Sequence, residues 1–148
     1  MNSWRIKHKA LAIPFLALYS WLVIRTSWVS DDAYITFRSL ENSLHGYGLV
    51  FNIGERVQTF THPLWFLLQS AAGFIFNLWK DNPFGQGQMY FLNIFISIAL
   101  SILVMSIFTF KAASSTKGAV LGLLIFSLSK SFIDYSTSGL ENPLTHLI

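Results

Sequence analysis

Met89-Tyr90-Phe91-Leu92-Asn93-Ile94-Phe95-Ile96-Ser97-Ile98-Ala99-Leu100-Ser101-Ile102-Leu103-Val104-Met105-Ser106-Ile107-Phe108-Thr109-Phe110 is a run of 22 residues without a charge. As a helix rising 1.5 Å per residue it is about 33 Å long, enough for a hydrocarbon core of roughly 30 Å. Asn93, Ser97 and Ser101 recur every fourth residue and make one polar stripe. Such a stripe suits packing against other helices better than facing lipid. The rest of the chain fits the same solvent. Of its 148 residues 53 % are hydrophobic and 11 % charged, and mean hydropathy is +0.50. Soluble domains carry roughly 25 % charged residues, so this chain cannot cover a globule with polar surface. The 14 Phe, 5 Trp and 5 Tyr exclude intrinsic disorder. The absence of Cys excludes disulfide frameworks and thiolate chemistry. A net charge of +3 without a Lys/Arg-rich tract is not a nucleic-acid footprint.

Three further apolar stretches flank this one. The first span, at about 10–28, follows the basic Arg5, Lys7 and Lys9 and has Trp4, Trp21 and Trp28 at its margins, as an aromatic belt requires. No small-residue cleavage pattern follows it, so it reads as an uncleaved anchor rather than a removed signal peptide. Leu64–Trp79 is too short to cross, and Gln69, Gly73 and Asn77 give it a polar or small face; it reads as an interfacial helix over 64–79. A third span is expected at about 118–135, beginning with the glycines of Gly118 and Gly122. Pro83-Phe84-Gly85-Gln86-Gly87 is a turn-rich joint, and residues 143–148 read as the start of a further helix. The expected fold is all-α and integral to the membrane, with three transmembrane helices at about 10–28, 89–110 and 118–135.

Charge sets the orientation. If 64–79 does not cross, Arg5, Lys7, Lys9, Lys111 and Lys117 fall on the cytoplasmic side, as the positive-inside rule requires. Asp31, Asp32 and Glu141 then emerge together on the outer side.

The outer loop, 29–63, is where chemistry concentrates. Ser30-Asp31-Asp32 opens a helical pattern that ends at His45 before Gly46-Tyr47-Gly48. Leu49-Val50-Phe51 and Glu55-Arg56-Val57 flank Asn52-Ile53-Gly54, the pattern of a hairpin. Thr61-His62-Pro63-Leu64-Trp65 opens the interfacial helix, with Pro near its start. Each candidate has two readings. Asp31 and Asp32 are either a carboxylate pair, serving as general base or metal ligands, or helix-end residues behind a Ser30 cap. Arg38 and Arg56 either grip a phosphate or balance Glu41 and Glu55. His45 and His62 are candidate ligands without a recognised metal spacing. Ser138-Gly139-Leu140-Glu141 has the form of a capping box, and Lys130 and Asp134 stand one helical turn apart.

Asp31-Asp32-Ala33-Tyr34-Ile35-Thr36-Phe37-Arg38, Asn42, Gly46-Tyr47-Gly48-Leu49-Val50-Phe51-Asn52-Ile53-Gly54-Glu55-Arg56-Val57 and Thr61-His62-Pro63-Leu64-Trp65 together resemble the first outer loop of the GT-C class of polytopic glycosyltransferases. The resemblance is to the terminal arabinofuranosyltransferases of mycobacterial cell walls and related bacterial membrane proteins. Thr137-Ser138-Gly139-Leu140-Glu141 is similar to a Gly-Leu/Met-Glu signature that follows in that family. His62 stands where the family pattern usually has Ser, and Asn142 where Thr is common.

The resemblance implies an inverting glycosyltransferase of the inner (plasma) membrane, with its N-terminus cytoplasmic. Its donor would be a sugar on a polyprenyl phosphate and its acceptor a cell-envelope glycan or lipid; no nucleic acid is expected. Asp31, Asp32 and Glu141 would be the catalytic carboxylates, and Arg38, Arg56 and His62 would contact substrate. A divalent metal cofactor is left open. Such enzymes have many more spans, so this chain would cover their N-terminal third or less. The competing reading is non-catalytic: a small integral membrane protein, or a truncated relative that keeps the loop without the cavity.

Overall fold

A computed structural model of the chain describes the backbone of residues 3–76 and 87–148 and the side chains of 12–76 and 88–148. All regular elements among the described residues are helical. Helix α1 spans Ser3–Arg25, α2 Asp31–Leu44, α3 Pro63–Ile75 and α4 Gly87–Ile107. A π-helical turn, Phe108–Ala112, extends α4; then come α5 Thr116–Leu128, α6 Lys130–Tyr135 and α7 Asn142–Thr145.

Gln88–Ala112 is long and apolar enough to cross a membrane, as expected for 89–110. Ala12–Arg25 and Thr116–Leu128 are apolar but shorter. The third expected span differs from its reading as one helix over 118–135. The chain breaks at Ser129, whose backbone is extended (φ −72°, ψ 110°) and whose Oγ accepts a hydrogen bond from the Phe132 N–H. That cap starts α6 at a new angle and turns Phe132 into the core, beside Tyr19 and Phe126. The π turn likewise has a packing partner. Phe108 lies where a Cβ on Gly122 would stand, 2.0 Å from its ring, so only Gly fits at 122.

Two cores result. Ala12, Tyr19, Val23, Met105, Leu123 and Phe132 join α1, α4, α5 and α6. Ala33, Phe37, Leu40, Phe66 and Met89 join α2, α3 and the start of α4. The stripe on α4 lies inside, as its spacing predicts: Asn93, Ser97 and Ser101 are all buried. Gln69 and Gly73 of α3 are buried too, so its small and polar face packs inward while Leu67, Phe74 and Ile75 are exposed. Asn77, Trp79 and the joint at 83–86 lie outside the described residues, as do the side chains of Trp4, Arg5, Lys7 and Lys9.

The expected hairpin around Asn52-Ile53-Gly54 is a correction: no strand forms among the described residues. Its backbone acceptors are taken by α2 instead. Asn42 Nδ2 donates to the carbonyls of Val50 and Phe51, both at 2.9 Å, and Arg38 Nε donates to that of Phe51 at 3.2 Å. A strand partner would need those same carbonyls. The segment therefore lies on α2 as a string of turns, with Gly54 at φ +93°. The end of α2 matches the reading closely. Gly46 is left-handed (φ +83°), with Gly46 N–H donating to Ser43 O and Tyr47 N–H to Asn42 O, a Schellman arrangement.

Candidate functional site

The two sequence blocks, some hundred residues apart, meet at Gly139. Ser136, Thr137 and Ser138 are buried against the helices before it. Tyr19 Oη and Ser136 Oγ are 2.5 Å apart, and Ser101 Oγ donates to Ser136 Oγ at 3.4 Å. The polar stripe of α4 thus holds the second block in place. The Ser138 carbonyl accepts the Ser30 N–H at 2.8 Å, which docks the start of α2 onto it. Gly139 itself is at φ +89°, and a Cβ there would stand 2.3 Å from the Ala33 Cβ and 2.9 Å from a Val29 methyl. Both the conformation and the approach demand glycine. A side chain larger than that of Ala33 would meet the same backbone.

Helix α3 closes the arrangement with two cross-links. Trp65 Nε1–H donates to the Gly139 carbonyl at 3.0 Å, and His62 Nε2–H donates to Glu141 Oε1 at 2.7 Å. His62 and Trp65 are three residues apart at the start of a helix, so both project from one side. Asp32, Ile35, Thr36, Thr59, Phe60, Thr61, His62, Trp65, Gly139, Leu140 and Glu141 line the resulting cleft of about 400 Å³. Two carboxylates, an imidazole and three threonine hydroxyls face one space that is open to solvent. A polyol can be hydrogen-bonded there, and a carboxylate can take a proton from one of its hydroxyls.

The bland readings fare unevenly. Ser30 occupies the N-cap position of α2, yet its side chain makes no capping bond, and its Oγ is buried without a partner among the described residues. Asp31 and Asp32 are exposed in the first turn of α2, where the helix dipole favours negative charge; Asp32 lines the cleft, Asp31 does not. The capping box at Ser138–Glu141 is not formed. Glu141, not Ser138, precedes α7, and its carboxylate goes to His62 rather than back to the Ser138 N–H. Lys130 and Asp134 form their one-turn ion pair.

Arg38 and Arg56 stand apart from the cleft. Arg38 is bonded to the Phe51 carbonyl and lies over the Phe51 ring, 5.4 Å from its centroid. Arg56 lines a wider, more open groove of about 830 Å³ between Tyr47 and Phe60. Neither pairs with Glu41 or Glu55 among the described residues; Glu55 takes a hydrogen bond from Asn52 instead. His45 Nδ1 lies 2.8 Å from the Glu41 carbonyl and its ring stacks on Tyr47, which ends α2. Among the described residues no three His, Asp or Glu side chains converge as metal ligands. Trp65, Thr36, Thr59 and Thr61 were not singled out by residue type alone. The spacing of His62 and Trp65 is the signal that could have marked the tryptophan; Thr36 and Thr61 stood in the resembling stretches, and Thr59 carried no signal.

With this geometry, the similarity to known proteins has a location. The chain is 30 % identical over 136 residues to the terminal β-(1→2)-arabinofuranosyltransferase of Mycobacterium tuberculosis, covering 86 % of the chain and 20 % of that protein. It is 47 % identical over 45 residues to the terminal β-(1→2)-arabinofuranosyltransferase of Corynebacterium glutamicum, covering 30 % of the chain and 7 % of that protein. The chain is related to the mycobacterial-type terminal arabinofuranosyltransferases. It spans about one fifth of the length of the first of these relatives. No protein-family model matches it, and no solved structure matches it. The two stretches that resemble the arabinofuranosyltransferases line one cleft.

Proposed function

We propose that this chain forms the outer-leaflet cleft of a multi-pass membrane glycosyltransferase. It would transfer a sugar, with inversion, from a polyprenyl-phosphate donor to a cell-envelope glycan or lipid. The observation that carries the reading is the convergence of Asp32, His62 and Glu141 on one cleft built from two distant motifs. Asp32 is the general base for the acceptor hydroxyl, and Asp31 beside it adds negative charge at the mouth. Glu141 acts through His62 and through the charge it brings to the cleft. The names of the relatives make β-linked arabinofuranose the first sugar to test. Arg38 and Arg56 shape the loop that roofs α2, and the wider groove beside Arg56 is open to the donor's phosphate or the acceptor.

The exposed apolar side chains of Gln88–Ala112 support a membrane location, and the positive-inside rule favours a cytoplasmic N-terminus with the 29–63 loop outside. Single cysteines in this cysteine-free chain test that orientation. Ile53→Cys should label from outside and Ser114→Cys only from the cytoplasm; the reverse pattern would exclude it. For the activity, membranes carrying the full-length protein are given a radiolabelled polyprenyl-phosphate arabinose. Asp32→Asn should lower transfer about 100-fold at unchanged protein level, within the range of general-base contributions. Glu141→Gln should also lower it, since no capping box exists for Gln to preserve. Full transfer in both variants would remove the carboxylates from the mechanism.

A further inference from the structure

His62 is the one side chain lining the cleft, among the described residues, that can carry positive charge. The arginines expected to meet an anion are elsewhere: Arg38 is committed to Phe51, and Arg56 lines the other groove. The cleft otherwise holds the carboxylates of Asp32 and Glu141. The imidazole is also oriented. Its Nε2–H is given to Glu141 at 2.7 Å, and its Nδ1 has no partner among the described residues. The side chain is half exposed and lines the cleft. Protonated at both nitrogens, a ring held at one of them by a carboxylate presents its other N–H in a fixed direction to an oxyanion.

We propose that His62, as an imidazolium held by Glu141, is the catalytic residue that hydrogen-bonds the departing phosphate of the glycosyl donor through Nδ1–H. This rests on the glycosyl-transfer reading. In that reaction the acceptor oxygen forms its bond to the anomeric carbon, and its proton passes to Asp32. The bond from the anomeric carbon to the phosphate oxygen breaks, and its electron pair leaves with the phosphate. The donor is a phosphodiester with one negative charge; the leaving group is a monoester that gains a second. A cationic donor placed at that oxygen is worth more in the transition state than in the bound substrate, which is the condition for acceleration. Glu141 is by the same geometry a positioning residue: it touches His62, not the phosphate.

The test uses the full-length protein in lipid nanodiscs, with geranyl phosphate as a product-like monoester probe. His62→Gln and His62→Ser should weaken geranyl phosphate binding at least about tenfold, and His62→Lys, which restores a cation, should recover most of it. In transfer assays, His62→Gln should lower kcat about 100-fold, the loss typical of one oxyanion donor, and leave donor KM within about threefold. Equal geranyl phosphate affinity in wild type and His62→Gln, with kcat unchanged, overturns the assignment. If Asp32→Asn is inactive while His62→Gln keeps full rate and binding, the transfer reading survives and the role of His62 does not. If the wild type binds geranyl phosphate through His62 but transfers no sugar, the anion site stands and the transfer reading fails.

Discussion

Helices α2 and α4 are built on opposite plans. In α2 the buried side chains include Ala33, Phe37 and Leu40, and Asp31, Asp32 and Arg38 face outward. In α4 the buried side chains include Asn93, Ser97 and Ser101, while Phe91 and Phe95 are about 70 % exposed. The same chain therefore sorts its residues by two different rules. Burial of apolar surface stabilises α2 because water lies outside it. If Gln88–Ala112 crosses the membrane as proposed, no such driving force acts around it, and close approach of small polar residues would do the packing there. The cleft sits at the seam between these regimes. Asp32 comes from α2, and the loop carrying Glu141 is anchored by α4.

The sharpest test of this contrast truncates one phenylalanine in each region. Phe37→Ala should destabilise the folded protein by about 3–5 kcal/mol, the usual result for a fully buried Phe. Phe95→Ala should change unfolding in detergent little, because its ring contacts surroundings rather than core. Similar losses in both would break the comparison.

The seam itself is probed at Gly139. Gly139→Ala should cost about 2–4 kcal/mol, combining a strained left-handed residue with overpacking against Ala33. Adding Ala33→Gly should recover the overpacking share and leave the strain. Additive losses in the double mutant, followed by thermal unfolding, would show that the Ala33 contact does not limit the approach.

Two polar deletions give the smaller effects, and they should differ. Asn42→Ala removes the Val50 carbonyl's donor and leaves that of Phe51 to Arg38 alone, and should destabilise by about 1–3 kcal/mol, loosening the 49–57 segment to proteolysis. Ser97→Ala removes a buried hydroxyl that has no partner among the described residues, so it should fall within about 0.5 kcal/mol of wild type. A loss at Ser97 as large as that at Asn42 would reveal a bound partner for its hydroxyl.

Periodicity along the chain was enough to anticipate much of this. The four-residue recurrence of Asn93, Ser97 and Ser101 determined which face of α4 lies inside, and the glycines at 46 and 48 determined where α2 ends. Both are local consequences of 3.6 residues per turn and of the left-handed backbone that glycine adopts readily. The resemblance of the outer loop and of Thr137–Glu141 to a glycosyltransferase family was likewise written in the residues. Tertiary structure decided the rest. The stretches flanking Asn52-Ile53-Gly54 suited a hairpin, yet side chains of α2 took its carbonyls. Ser138-x-x-Glu141 had the spacing of a capping box, yet His62 took the carboxylate. Arg38 and Arg56 were suited to a phosphate, yet neither reached the cleft. In each case a hydrogen-bonding group had a local partner available by spacing and a distant one available only after folding. Which partner wins depends on where α2, α3 and residues 136–141 are brought together, and that meeting is fixed by packing across some hundred residues of chain.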